Sequence, residues 1–195
     1  MIEVKRASDI EGNVRRRMSE IFIDGFGKHF IYFSPDKEVL MKAFEHTFVL
    51  DVFYVALLDG KIAGLGAFTD GKTPSVAPKW KDFSTHLGLI KGTLAYFILR
   101  HEFHKPAKRT GDRIASVEFF VTDSLYRGKG VASAIIQYFL DNPAYDEFIL
   151  EVADTNTEAV NLYTKLGFVE FTRVKAEHAE QSGINYLVYM SHKKS

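Results

Sequence analysis

Two glycines and two cations crowd into the run Tyr126-Arg127-Gly128-Lys129-Gly130-Val131-Ala132. An extended apolar stretch, Ala115-Ser116-Val117-Glu118-Phe119-Phe120-Val121, precedes it, and the residues from Ser133 to Leu140 follow with apolar positions at helical spacing. Strand, glycine-bearing turn and helix in that order aim unsatisfied N–H groups, and the positive end of the helix dipole, at whatever occupies the turn. That is an anion site, and the glycines remove Cβ atoms where backbone must approach a ligand closely. The chemistry implied is the cradling of a pyrophosphate from a nucleotide-like cofactor. The plain alternative is a strand-to-helix turn with no ligand.

Two familiar phosphate motifs are missing from the chain. No Gly-x-x-x-x-Gly-Lys-Ser/Thr run occurs, and Gly128-x-Gly130 is not completed to Gly-x-Gly-x-x-Gly because position 133 is Ser. The run does satisfy Arg/Gln-x-x-Gly-x-Gly/Ala through Arg127, Gly130 and Ala132. A second block lies downstream, where Phe148-Ile149-Leu150-Glu151-Val152 reads as a buried strand and Asp154 to Phe168 as a helix with its flanks. Ala159, Leu162, Tyr163 and Leu166 fall at i, i+3, i+4 and i+7 on one helical face. Thr155 and Glu158 have the spacing of a capping box, and Gly167 is a helix stop.

Taken together, Arg127-x-x-Gly130-x-Ala132 and Asn156-x-x-Ala159-x-x-Leu162-Tyr163-x-Lys165-x-Gly167-Phe168 resemble the two signatures of the GNAT superfamily of N-acetyltransferases, in order and at about the right separation. The resemblance covers residues 115 to 191 well and the first half in outline. It implies an α/β (α+β) fold: a mixed, mostly antiparallel central sheet of about seven strands flanked by helices. Two strands would splay apart to admit the pantetheine arm of acetyl-CoA, with no metal involved. The reaction implied is transfer of an acetyl group from acetyl-CoA to a primary amine by direct attack in a ternary complex. The same fold with another short acyl-CoA, and a non-catalytic CoA-binding or sensor domain, are the alternatives.

The resemblance also assigns roles. Backbone groups of Phe120, Val121 and Thr122 would line the pantetheine arm, with N–H groups near Val121 or Thr122 holding the oxyanion. The N–H groups of Gly128, Lys129, Gly130, Val131 and Ala132 would hold the pyrophosphate. Arg127 and Lys129 are candidate phosphate contacts, Lys165 a ribose-phosphate contact, and the Asn156 amide a pantetheine contact or simply a helix cap. Tyr163 would bind near the thioester and act as general acid, since a phenol is protonated at neutral pH. Its alternative is a core tyrosine on the Leu162–Leu166 stripe. Glu118 is the leading general base, against a solvated strand face; Asp123 is the second choice, against a turn-forming role.

Composition narrows the partners. The chain has 195 residues, enough for one domain spanning 1–195 with a substantial core. Lys+Arg and Asp+Glu balance at 25 each, which gives no global field for nucleic acid or an anionic membrane. The acceptor expected is a small-molecule amine or a protein or peptide amine. Cysteine is absent, so a cysteine acyl-enzyme and thiolate metal sites are impossible. With no apolar leader or span, the cytoplasm is the expected compartment.

The remaining elements follow from periodicity. Ile2 to Arg6 should be a strand; Asp9 should cap a helix carrying Val14, Met18, Ile21 and Phe22, broken by Gly25 and Gly27. Phe26, Phe30, Tyr32 and Phe33 form an aromatic connector that packs in the core or walls an acceptor pocket. Pro35-Asp36 opens a helix burying Leu40, Phe44 and Phe48. Val52 to Leu58 and Lys61 to Phe68 form a hairpin about Asp59-Gly60. Residues from Thr69 to Asp112 read as an insertion between the third and fourth strands. It holds one helix from about Thr85 to His104 with Leu87, Ile90, Leu94, Phe97, Ile98 and His101 on its inward face. His101 and His104 have metal-compatible spacing but no completing carboxylate. The insertion is also a candidate dimerisation element. Val169 to Lys175 and Asn185 to His192 should pair around Ser182-Gly183.

Overall fold

The computed structural model describes residues 1–70, 72–103, 108–177, 180 and 183–194. Seven strands build one mixed sheet: β1 (Ile2–Arg6), β2 (Phe53–Leu58), β3 (Lys61–Thr69), β4 (Ile114–Thr122), β5 (Glu147–Ala153), β6 (Val169–Lys175) and β7 (Tyr186–Lys193). Their order across the sheet is β1-β2-β3-β4-β5-β7-β6. Every neighbouring pair is antiparallel except β4–β5. The β2–β3 hairpin turns at Asp59 and Gly60, both at positive φ (52° and 74°), a geometry whose twist matches that of the flanking strands.

Alternation along the central strands divides the interior in two. Phe53, Val55, Leu65 and Ala67 point to a first face, covered by α1 (Val14–Phe26), α2 (Lys37–Phe44), α3 (Trp80–Leu87) and α4 (Leu89–Phe103). Tyr54, Ala56, Ala63 and Phe68 point to the second face, covered by α5 (Val131–Leu140) and α6 (Thr157–Lys165). The first core is built around stacked and edge-on phenylalanines, with Phe22 touching Phe26, Phe30, Phe44 and Phe48. Phe30 and Phe33 of the aromatic connector are therefore core residues, while Tyr32 stands in solvent.

Several local expectations change. The cap of α1 is Asn13, whose side chain accepts from the Arg16 N–H at 3.2 Å; Asp9 belongs to a short 3-10 turn instead. Gly25 does not end α1. It lies inside the helix because a Cβ there would overlap the Val121 side chain, so the glycine lets α1 lie close on β4. Asn156 caps α6, as its cap reading has it, and the Thr155–Glu158 capping box does not form the cap.

The β3–β4 connection holds two helices rather than one, broken at Gly88 with φ 78°. Its inward face is also not the expected one. Gly92, Ala95 and Leu99 face inward, and a Cβ on Gly92 would come within 2.5 Å of the α3 backbone. Only small residues allow so close an approach, so the bulky Ile90, Leu94, Phe97 and Ile98 are turned outward with His101. His104, Lys105 and Ser182 lie outside the described residues. Among the described residues, no cluster of three or more His, Asp or Glu side chains could hold a metal, and no helix is long and apolar enough to cross a membrane.

Candidate active site

The parallel ladder between β4 and β5 ends at Val117↔Leu150, although β4 continues to Thr122 and β5 to Ala153. Beyond that pair β4 stays bonded to β3 and β5 to β7, so the sheet opens between its two central strands. A bulge sharpens the opening. The β3–β4 register shifts between Leu65 and Ala67, opposite Phe119, whose φ of 53° is rare for a bulky residue. Gly66 makes room: a Cβ there would sit 3.0 Å from the Phe120 ring. One extra residue turns Phe119 and Val121 to the first face and Phe120 to the second. Backbone strain of this kind is held in place by its surroundings and clusters at functional sites.

Glu118 is the first residue beyond the last β4–β5 pair, and it faces the first side of the sheet. Its carboxylate accepts from Ser75 Oγ at 2.5 Å and from Thr69 Oγ1 at 3.3 Å. Ser75 is itself fixed by an antiparallel bridge between Phe48 and Val76, with hydrogen bonds from Val49 N to Ser75 O (3.0 Å) and Ala77 N to Thr47 O (2.7 Å). Asp123 is placed differently. It is buried, caps the following 3-10 turn through the Leu125 N–H at 2.8 Å, and is ion-paired with Arg17 of α1. Arg17 also donates to Ile62 O at 3.2 Å. Asp123 thus serves the turn and ties α1 to the end of β4.

After that turn the chain reaches Gly128 (φ 71°) and Gly130 (φ 80°), both in the left-handed region where a side chain is strained. Gly130 caps α5 without any side-chain hydrogen bond. The N–H groups of Gly128, Lys129, Gly130, Val131 and Ala132 donate to no backbone acceptor among the described residues. Nothing lies within 4 Å of the position a Gly128 Cβ would take, so the turn is open beside Gly128. The start of α5 is pressed against β3, since a Cβ on Gly64 would meet Val131 Cγ1 at 2.6 Å and Val121 O at 3.0 Å. Arg127 and Lys165 are exposed, and Lys129 Nζ lies 5.1 Å from the Tyr126 ring centroid.

On α6 the Asn156 side chain accepts from the Ala159 N–H at 3.2 Å, which realises its capping role. Tyr163 is buried in the second-face core that contains Leu150 and Val152 of β5, with the Phe168 ring 6.0 Å away. Burial pushes its phenol up to about 12, so the hydroxyl stays protonated throughout the physiological range. Tyr163 and Glu118 therefore lie on opposite faces of the sheet. Phe120, Val121 and Thr122 form the β4 edge of the β4–β5 opening. Sequence reasoning missed Thr69, Ser75 and Arg17, which reach the site only through tertiary contact. The one available signal was Gly64-x-Gly66 inside an apolar strand, a mark of close backbone approach.

The acetyltransferase (GNAT) family model matches residues 16–168, and the chain belongs to that family. An N-acetyltransferase from Staphylococcus aureus Mu50 shares the fold at TM-score 0.66 and 16% identity, covering 97% of this chain and 99% of that one. A GCN5-related N-acetyltransferase from Kribbella flavida aligns at TM-score 0.56 and 20% identity over 99% and 98%. The ribosomal-protein-S18-alanine N-acetyltransferase from Escherichia coli aligns at 0.55 and 14% over 100% and 95%. No curated protein matches the chain. The family uses acetyl-CoA as cosubstrate, and the unspent N–H groups before α5 fit the diphosphate of such a molecule.

Proposed function

We propose that this protein transfers an acetyl group from acetyl-CoA to a primary amine by direct attack in a ternary complex. The observation that carries this reading is the opening between β4 and β5 directly ahead of a helix N-terminus whose N–H groups have no backbone partner among the described residues. In this reading the N–H groups of Gly128, Lys129, Gly130, Val131 and Ala132 hold the diphosphate. Arg127 and Lys129 add charge at the phosphates, Lys165 at the ribose phosphate. The β4 edge from Phe120 to Thr122 and the Asn156 amide accompany the pantetheine arm.

Acetyl-CoA supplies an acyl thioester: the amine nitrogen forms the new C–N bond as the C–S bond breaks. The amine must shed a proton and the departing sulfur must gain one. Glu118, with both oxygens anchored by Ser75 and Thr69, takes the amine's proton directly or through water on the first face. Tyr163 donates from the second face, where burial keeps its proton in place. The two-sided placement suits a reaction in which donor and acceptor meet through the sheet. Because the chain contains no cysteine, the acetyl group has no cysteine to rest on, which favours the direct route.

The test is a screen of small amines and of peptides with free N-termini or lysines, read as release of CoA thiol from acetyl-CoA. Acceptor-dependent thiol release supports the reading. Tight acetyl-CoA binding without turnover on any amine, or turnover with a different acyl-CoA alone, would replace it.

A further inference from the structure

Helix α4 is apolar on two opposite sides. Gly92, Ala95 and Leu99 pack inward, while Ile90, Leu94, Phe97, Ile98 and His101 fall at i, i+4, i+7, i+8 and i+11 on the outward side. Ile90 is 85% exposed, Phe97 61%, Ile98 42% and Leu94 39%, and Leu89 at the helix start is 66% exposed. With such values this side of the helix stands in solvent rather than in the core. At about 150–250 Å² for a large side chain, the ridge presents roughly 500 Å² of nearly continuous apolar surface. A helix apolar all round is one whose both sides are covered.

The charges flanking the ridge select the occupant. Lys91 and Glu102 lie on the same flank, at opposite ends of the helix. A twofold axis across an antiparallel helix pair brings equal flanks together with their ends reversed. Lys91 then meets Glu102 of the other copy, and the pair occurs twice. On the other flank the same operation sets Arg100 against Thr93, so among the described residues of α4 no like charges oppose one another. Phe97 and Leu94 fall near the centre. With these polar flanks added, the face approaches the ~800 Å² per partner of a standard interface. We propose that α4 is a self-complementary docking surface through which two copies of this chain pair, antiparallel and isologous. This proposal does not depend on the acyl-transfer reading.

Sedimentation and light scattering of the full chain test it. The expected result is a dimer that Leu94→Glu with Phe97→Glu converts to a monomer of unchanged circular dichroism. The loss expected is on the order of 30-fold or more in dimer Kd. Lys91→Glu and Glu102→Lys should each weaken the dimer, and the combined swap should restore it. The chain has no cysteine, so Phe97→Cys gives a single thiol. A short bismaleimide should link Phe97→Cys into dimers but leave a Lys61→Cys control unlinked, a result that stands even if the glutamate variant misfolds. A monomeric wild type, a dimer indifferent to these changes, a swap without rescue, or a monomer that instead pellets with phospholipid vesicles would each overturn the proposal.

Discussion

At the scale of single residues, the site separates into groups whose chemistry was readable along the chain and groups recruited across it. Tyr163 sits inside a contiguous motif, and its burial makes it an acid that does not ionise near neutrality. Tyr163→Phe keeps the ring packing against Phe168 and removes only the hydroxyl. We expect turnover to fall by about 10²-fold or more with CoA affinity within about twofold, measured by steady-state kinetics and calorimetry. Unchanged turnover would remove the acid role from Tyr163. By contrast, Ser75 and Thr69 stand 43 and 49 positions from Glu118, and Arg17 stands 106 from Asp123, so no spacing rule could have joined them. His46 illustrates the same limit. Its Nε2 accepts from the Lys79 N–H at 2.8 Å, its Nδ1 is buried with no well-formed hydrogen bond among the described residues, and desolvation lowers its pKa to about 4 from 6.5. Because the folded state binds its proton less readily, this contribution is fully present above pH 6.5 and is lost as pH falls towards 4. Allowing for its partial solvent contact, the loss is on the order of 1–2 kcal/mol. Urea midpoints at pH 7 and 4.5 should fall more for the wild type than for His46→Phe; equal slopes would dismiss the effect.

At the scale of elements, glycines set how closely the layers approach. The hairpin at Asp59-Gly60, the strand–turn–helix at 126–132 and the motif helix α6 all formed where periodicity and turn chemistry placed them. Gly25 has the look of a helix breaker in the sequence yet is helical, because the constraint on it comes from Val121 on a strand far along the chain. Gly25→Val should therefore destabilise the protein by about 1–3 kcal/mol through overpacking, visible as a lower Tm. A neutral or stabilised variant would show that α1 does not lean on β4 there. The β3–β4 connection departs from its sequence pattern for a related reason. An apolar repeat on both sides of α4 does not say which side meets the protein; the small Gly92 and Ala95 decided it by allowing the closest approach to α3.

At the scale of the whole molecule, the sheet is continuous from β1 to β6 but held together at its middle by only four β4–β5 pairs, Ile114↔Glu147 through Val117↔Leu150. A ligand bound across the opening joins the two halves and binds only the folded state. At a hundredfold excess over Kd, CoA should stabilise by about 2.7 kcal/mol, raising Tm by roughly 5–10 °C. Gly130→Val, which forces a branched side chain into the left-handed region, should abolish most of that shift while the unliganded protein still folds. A full shift in the variant would move the diphosphate site away from α5.

What the sequence by itself determined was local: the strand–glycine–helix cradle, the motif tyrosine, the hairpin turn and the family these residues mark. Each is written in neighbours a few positions apart, where turn geometry and helical periodicity act. What only the tertiary structure decided was how those pieces face one another: the bulge at Phe119 that opens the sheet, the hydroxyl pair on Glu118, the partition of Glu118 and Tyr163 to opposite faces, and the outward turn of the α4 ridge. The reason is physical. Close packing fixes which surfaces touch, and contacts between residues tens of positions apart depend on volumes and register that no local pattern carries.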